Sequence, residues 1–224
     1  MLDFDAAVFG AGRHGLATLE VDAVVAAGEL VLVDIEAREQ EHALVNAALG
    51  LAAPLAGRVR FRDHDWQRLP ADFRDGLRGR CGLVPREGGL LPYAGMAENV
   101  LLARRYHARA RARALLAEAG ELARRFGLPG LPLEASEIGG ALDRLRALCV
   151  RAFVGEPLLV VLESRAERWR RELVGPLVEA TQAVRERDGA VVWFLADDPL
   201  WDDPAIPATR RLRPRGRRLE GRGP

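Results

Sequence analysis

The sequence predicts an α/β protein with a mostly parallel core sheet, and two observations support that prediction. Short, fully apolar segments recur along the chain, as in strands that are buried on both faces of a parallel sheet. They are "LVLVDI" at 30–35, "PLLVVLE" at 157–163 and "GAVVWFLADD" at 189–198. Between them lie stretches with apolar residues at helical spacing, such as "ALDRLRALCVRAFVG" at 141–155. This alternation is typical of α/β architecture.

The N-terminal part predicts an antiparallel β layer. "DAAVFGAG" is typical of a strand that runs into a glycine turn, and "LATLEVDAVVAAGE" has Leu19, Val21 and Ala23 at alternate positions. "GRVRFRDHDW" alternates in the same way, with Val59 and Phe61 on one side. After "LVLVDI", the segment "EHALVNAALGL" predicts a helix.

The remaining segments complete one domain, which we predict to span residues 1–209. Arginine-rich helices are expected within 97–125, inside a helical subdomain at about 97–140, and a further helix at 166–187. The last segment, 210–224, is basic and contains proline and glycine, so it is expected to be a flexible tail.

Composition narrows the classes of function. The 224 residues are 49% hydrophobic and 29% charged, which predicts a packed core, and the net charge of +1 gives no reason to expect a nucleic-acid partner. The sequence contains no lysine, which excludes a Schiff base and a standard phosphate-loop lysine. Two isolated cysteines, no signal-peptide pattern and no long apolar run predict a cytoplasmic protein.

A glycine motif offers one alternative function. Gly10, Gly12 and Gly15 form a G-x-G-x-x-G after a strand, and Asp34 ends a buried strand about 20 residues further on. This pattern is typical of dinucleotide-binding folds and suggests an oxidoreductase that uses NAD or FAD. A β-hairpin turn is the favoured interpretation, because the segment that follows is partly strand-like. The histidines show no paired spacing, so no metal site is predicted.

The order of these segments resembles the ATP-binding domain of ABC transporters over roughly residues 16–200. "LRGRCGLV", "LLP" and "AENVLL" fall in the family's order and spacing up to and through the Gln loop, and "RAFVGEPLLVVLE" resembles the end of the signature helix and the Walker B strand. "AENVLLARRYH" is most similar to the subfamily of bacterial envelope lipid import. The resemblance implies a phosphate-loop-type ABC ATPase core with an N-terminal antiparallel β layer and a helical subdomain.

In this frame the phosphate loop falls on "IEAREQEH", Ile35 to His42. The family needs glycines there, so that backbone N–H groups can point at phosphate oxygens. Glu41 stands at the position of the phosphate-binding lysine, and His42 at that of the magnesium-binding Ser or Thr. Because two like charges about 4 Å apart repel by about 4 kcal/mol near a protein surface, Glu41 is expected to oppose a bound phosphate.

The resemblance places the other nucleotide-site positions on residues of altered chemistry. In chain order they are Arg86 (Gln loop), Gly139 and Gly140 (signature loop), Glu163 (Walker B aspartate), Ser164 (catalytic glutamate) and Asp197 (switch histidine). Ser164 has no carboxylate to orient a water for attack on a phosphate. These substitutions together imply that ATPase chemistry is lost.

The function implied by the resemblance is a non-catalytic structural or regulatory subunit of a transporter. Its expected partners are a second ABC ATPase subunit, the same or different, and a membrane permease, which would place it peripherally at the inner membrane. No cofactor is expected. Binding of ATP with Mg²⁺ is expected only if the nucleotide site has been rebuilt. A weak, non-standard ATPase with Glu163 on magnesium is the second alternative.

Overall fold

The computed structural model describes residues 1–10, 18–107, 112–131, 139–163, 171–196 and 199–221. Within these ranges the chain forms strands, α-helices and a short 3-10 helix, Pro199–Asp202. The strands are β1 (Leu2–Phe9), β2 (Leu19–Val25), β3 (Leu30–Val33), β4 (Ala56–Phe61), β5 (His64–Asp65), β6 (Cys81–Val84), β7 (Leu159–Glu163), β8 (Ala190–Phe194), β9 (Arg210–Leu212) and β10 (Arg218–Gly221). The helices are α1 (Arg38–Ala48), α2 (Ala71–Arg78), α3 (Met96–His107), α4 (Ala112–Arg125), α5 (Ala141–Phe153) and α6 (Arg171–Arg185).

The strands form two sheets of five. One has the order β6-β7-β8-β3-β9, and all its neighbouring strands are parallel. The other has the order β10-β2-β1-β4-β5, in which β1 pairs antiparallel with both β2 and β4. The predicted α/β class, with a parallel core sheet and an N-terminal antiparallel layer, is confirmed.

The parallel sheet is buried on both faces, which explains why its strands are continuously apolar. Leu30 and Leu32 of β3 face a core formed with α3, α4, α5 and α6. Val31 and Val33, which alternate with them, face a second core formed with α1 and the antiparallel sheet. Helix α1 is therefore enclosed between the two sheets, and its first turn follows β3 after the short segment 34–37.

The predicted flexible tail is wrong for residues 210–221. Strand β9 pairs parallel with β3, and β10 pairs parallel with the edge of β2. Leu219 is only 1% exposed, and the neighbouring arginines pair with acids: Arg210 with Glu29 at 2.9 Å and Arg218 with Glu20 at 3.0 Å. A basic segment is ordered here because a few apolar side chains and its ion pairs fix it to existing strands.

The dinucleotide-binding alternative is also wrong. A dinucleotide motif needs a strand, a glycine turn and then a helix, but Gly10 follows β1 and the chain returns as the antiparallel strand β2, with Phe9 opposite Leu19. Gly12 and Gly15 lie outside the described residues. Asp34 follows β3 in the other sheet and receives a hydrogen bond from Arg213 at 2.7 Å. The favoured β-hairpin is the correct interpretation.

A helical region lies between the neighbouring strands β6 and β7 and contains α3, α4 and α5, so the helices extend beyond the expected insertion at about 97–140. Helix α2 was not predicted. It spans only 8 residues, which is shorter than the window over which a helical period is recognised, and it has no buried residue. No helix in the described ranges is both long enough and apolar enough to cross a bilayer.

Gly82 sets the distance between β6 and α5. A Cβ atom at Gly82 would lie 1.9 Å from the carbonyl oxygen of Ala152, so we expect Gly82→Ala to destabilise the fold by about 1–3 kcal/mol through overpacking. Urea denaturation checks this, with Gly76→Ala as the matched control, because a Cβ at Gly76 meets no atom within 4 Å. Equal stability of Gly82→Ala and the wild type would contradict the tight packing of α5 on β6.

Candidate functional site

The segment that follows β3 leads into an ordinary helix N-terminus. Helix α1 begins at Arg38, and the Glu41 N–H already donates to the Ala37 carbonyl at 3.0 Å. Residues 34–42 are all described, and none of them has a positive φ. The Glu41 N–H is thus used inside the helix, and the backbone does not take the left-handed turns that glycines permit in an anion cradle.

Glu41 lies in the first turn of α1 with its side chain 1% exposed, and it forms an ion pair with Arg86. The Arg86 Nη2 donates to the Glu41 Oε2, and the Arg86 side chain is itself only 14% exposed. The other carboxylate oxygen of Glu41, Oε1, is buried and has no hydrogen-bond partner among the described residues. Arg86 therefore neutralises an acid that would otherwise be buried alone.

Glu163 joins the same cluster from the end of β7. It is 7% exposed, and its Oε2 accepts the backbone N–H of Arg86 at 3.0 Å. Arg86 thus contacts α1 through its guanidinium and β7 through its backbone. Glu41 and Arg86 come after β3 and β6, and Glu163 ends β7. These strands belong to one parallel sheet, so their carboxyl ends point the same way and the three side chains meet there.

The pKa directions follow from this geometry. Burial raises the pKa of the Glu41 carboxyl, and the nearby Glu163 raises it further, while the hydrogen bond and charge of Arg86 oppose the rise. The hydrogen bond to Glu41 raises the pKa of Arg86. Arg86 therefore remains charged, and its charge is used by Glu41 rather than held free for an incoming anion.

A pocket of about 200 Å³ lies beside this pair. Its walls come from α1, from the end of β6 with the residues after it, and from β7; the lining residues are Arg38, His42, Val45, Asn46, Leu83, Pro85, Arg86, Glu87 and Glu163. Arg38 pairs with Glu87 at 2.9 Å across the mouth, where both side chains are more than half exposed. The two arginines of the lining are thus each paired with a glutamate.

Of the predicted site residues, the structure places Glu41, His42, Arg86 and Glu163 close together. Gly139 and Gly140 precede α5 and do not line this pocket; the Arg144 Nη1 donates to the Gly139 carbonyl at 3.2 Å. Ser164 and Asp197 lie outside the described residues. Among the residues that are described, no group of three His, Cys, Asp or Glu side chains is arranged to hold a metal ion.

The Glu41–Arg86 pair was not predicted from the sequence. The two residues are 45 positions apart, and each was interpreted separately as a lost motif residue. The one sequence signal was the opposite charge of the two side chains, at positions that the resemblance gives to a lysine and a glutamine.

Similar solved structures share this architecture. The sequence matches no protein-family model and no curated protein. A dimeric bacterial ABC transporter cassette superposes with a TM-score of 0.78 at 17% identity, over 98% of this chain and 97% of that chain. A dimeric ATP-binding cassette bound to ADP and Pi superposes with a TM-score of 0.77 at 16% identity, over 98% of this chain and 97% of that chain. An ATP-binding subunit of an ABC transporter superposes with a TM-score of 0.79 at 17% identity, over 99% of this chain and 88% of that chain. The chain therefore has the fold of an ABC transporter ATP-binding cassette.

Proposed function

We propose that this protein is a non-catalytic, ABC-type subunit that acts as a structural or regulatory member of a transporter complex. The observation that supports this most strongly is the buried Glu41–Arg86 pair beside the pocket. Glu41 holds the position that the family resemblance gives to the phosphate-binding lysine, and its carboxylate is 1% exposed. In that position it supplies no cation to a phosphate, and the nearby cation Arg86 is already paired with it.

Recruiting Arg86 to a nucleotide would be unfavourable. An incoming phosphate would have to take the guanidinium from Glu41, and a buried carboxylate would then be left without its cation. The backbone gives no compensation, because the Glu41 N–H is bonded to Ala37 within the helix. Glu163 adds a further acid at the same point and already accepts the Arg86 N–H. Each of these contacts argues against ATP hydrolysis.

The proposed partners follow from the fold. Two of the similar structures are dimers of ATP-binding cassettes, so we expect this chain to pair with a second cassette, either a copy of itself or an active ATPase subunit. A membrane permease is the expected third component, which would hold the protein at the inner membrane. Where the partner is an active ATPase subunit, catalysis would belong to that partner.

A phosphate-release assay with MgATP tests the loss of catalysis. We expect no turnover above the background of Glu163→Gln, the variant that removes the acid a weak ATPase would place on magnesium. The measurement should use protein that has been purified alone and protein that has been co-purified with any cassette partner. Magnesium-dependent turnover in the isolated wild type that disappears in Glu163→Gln would instead establish the weak, non-standard ATPase.

A further inference from the structure

We propose that residues 85–95, here named the linking loop, hold α3 and α5 at a fixed position relative to α1 and β7 without any bound nucleotide. The loop connects β6 to α3 and contains no regular secondary structure. Side chains from four elements nevertheless bond it along its whole length. This inference rests on the proposed function, because the Glu41–Arg86 pair forms one of its attachments.

The first attachment fixes the start of the loop to the core. Arg86 reaches α1 through Glu41, and its backbone N–H reaches β7 through Glu163. Glu87 adds the exposed pair with Arg38 of α1. Two of these three contacts are largely shielded from water, where hydrogen bonds to charged groups are strong.

The second attachment fixes the middle of the loop to α5. The Arg151 Nη1 donates to the carbonyl oxygen of Gly89. Gly89 has φ +92°, and a Cβ there would lie 2.7 Å from the Pro85 Cγ. The carbonyl is thus presented to α5 by a tight turn in a backbone conformation that favours glycine.

The third attachment fixes the end of the loop to α3. Asn99 is 2% exposed, and its side-chain amide donates to the carbonyls of Leu91, Ala94 and Gly95 at 3.0–3.1 Å. Its side-chain oxygen accepts the Leu91 N–H at 2.6 Å. The two amide hydrogens of this buried side chain are thus shared among three backbone carbonyls of the loop, and its oxygen holds one backbone N–H.

A direct contact reinforces the link. Arg104 of α3 is 6% exposed and donates from Nη1 to the carbonyl oxygen of Gly79, just after α2. The helical region is thus bonded to the rest of the domain both through the linking loop and beside it. A ligand moves a conformational equilibrium only as far as it binds the two states differently. Because internal contacts already fix the position of α3 and α5, a nucleotide is expected to change that position little.

Hydrogen–deuterium exchange of the full-length protein tests this inference. In the wild type we expect slow exchange of the Arg86 and Leu91 N–H groups, which Glu163 and Asn99 accept, with rates that stay the same within about twofold when MgATP is added. Arg86→Ala should raise exchange in this loop by at least about tenfold. Arg38→Ala is the matched control: it removes the exposed pair with Glu87 and should leave the rates within about twofold.

A second variant covers the case in which Arg86→Ala does not fold. Arg151→Ala cuts only the contact to the Gly89 carbonyl, and it should raise exchange at the nearby Leu91 N–H. Fast exchange of the wild-type loop without ligand would overturn the fixed link, even if no ATP binds. Binding of ATP with unchanged loop exchange would instead contradict the proposed function and leave the fixed link intact. A slowing of loop exchange by MgATP would overturn the inference.

Discussion

Replacing Arg86 with alanine is expected to destabilise the fold by about 3–5 kcal/mol, the usual cost of removing one partner of a buried ion pair. The reason is Glu41, which is 1% exposed and would remain buried without a cation. Equilibrium denaturation in urea at neutral pH measures the loss. Arg38→Ala provides the matched comparison, because it breaks an arginine–glutamate pair that is exposed and should cost no more than about 1 kcal/mol.

The double variant Glu41→Gln/Arg86→Ala shows whether the lost stability comes from the unpaired charge or from lost packing. It removes the buried carboxylate together with its partner, so it should be more stable than Arg86→Ala alone. A double variant that is no more stable than Arg86→Ala would show that the loss comes from the packing of the arginine stem, and would contradict the role given to the ion pair.

The same variants predict a pH dependence. Burial raises the pKa of Glu41, and loss of Arg86 should raise it further. A carboxyl whose folded-state pKa is raised stabilises the fold below its unfolded pKa, and that stability is lost as pH rises through the folded pKa. The deficit of Arg86→Ala relative to the double variant should therefore shrink as pH falls towards about 4.3, the ordinary range of glutamate. A deficit that does not vary with pH would contradict the assignment.

Removal of residues 210–224 is expected to destabilise the protein by about 4 kcal/mol, at about 2 kcal/mol for each of two buried leucines. Leu212 is 8% exposed and Leu219 is 1% exposed. The truncation also removes β9 from the edge of β3 and β10 from the edge of β2, so the estimate omits the lost hydrogen bonds of both strands. For a chain of this length we expect a fall in Tm of about 8–16 °C.

A chain that ends at Gly221 is the control for this truncation, because it retains both strands and should melt with the full-length protein. Leu219→Ala in the full chain gives an intermediate test, with an expected cost of about 2–5 kcal/mol. If the chain that ends at Thr209 melts within about 2 °C of the full protein, residues 210–221 do not stabilise the domain, and the flexible tail would be the better description.

Sequence patterns predicted the fold where they are strong. The buried strands β3, β7 and β8 were evident because a parallel sheet that is covered on both faces is apolar at every position. Strands β9 and β10 were not predicted, because their segment offers only Leu212 and Leu219 among arginines, prolines and glycines. What orders them is pairing with distant partners, such as Glu29 for Arg210. The composition of a short segment does not predict pairing with residues that are distant in sequence.

The sequence predicted which residues belong to the candidate site, but it did not predict which of them contact one another. The resemblance gave Glu41, Arg86 and Glu163 separate places in a nucleotide site, and the structure brings them into contact. That Arg86 is paired with Glu41 depends on side-chain directions at one edge of the sheet, which no single segment specifies. The resemblance implied a site that had lost its ligand contacts, and the structure shows a buried ion pair between Glu41 and Arg86.

The most direct test of the central claim is isothermal titration calorimetry of the full-length protein with MgATP. We predict no binding heat at nucleotide concentrations up to about 1 mM, which corresponds to a binding free energy no more favourable than about −4 kcal/mol. A dissociation constant in the micromolar range for wild-type protein would contradict the account. If Arg86→Ala weakened that binding, the arginine would be shown to leave Glu41 for the phosphate, and the site would be a rebuilt nucleotide site.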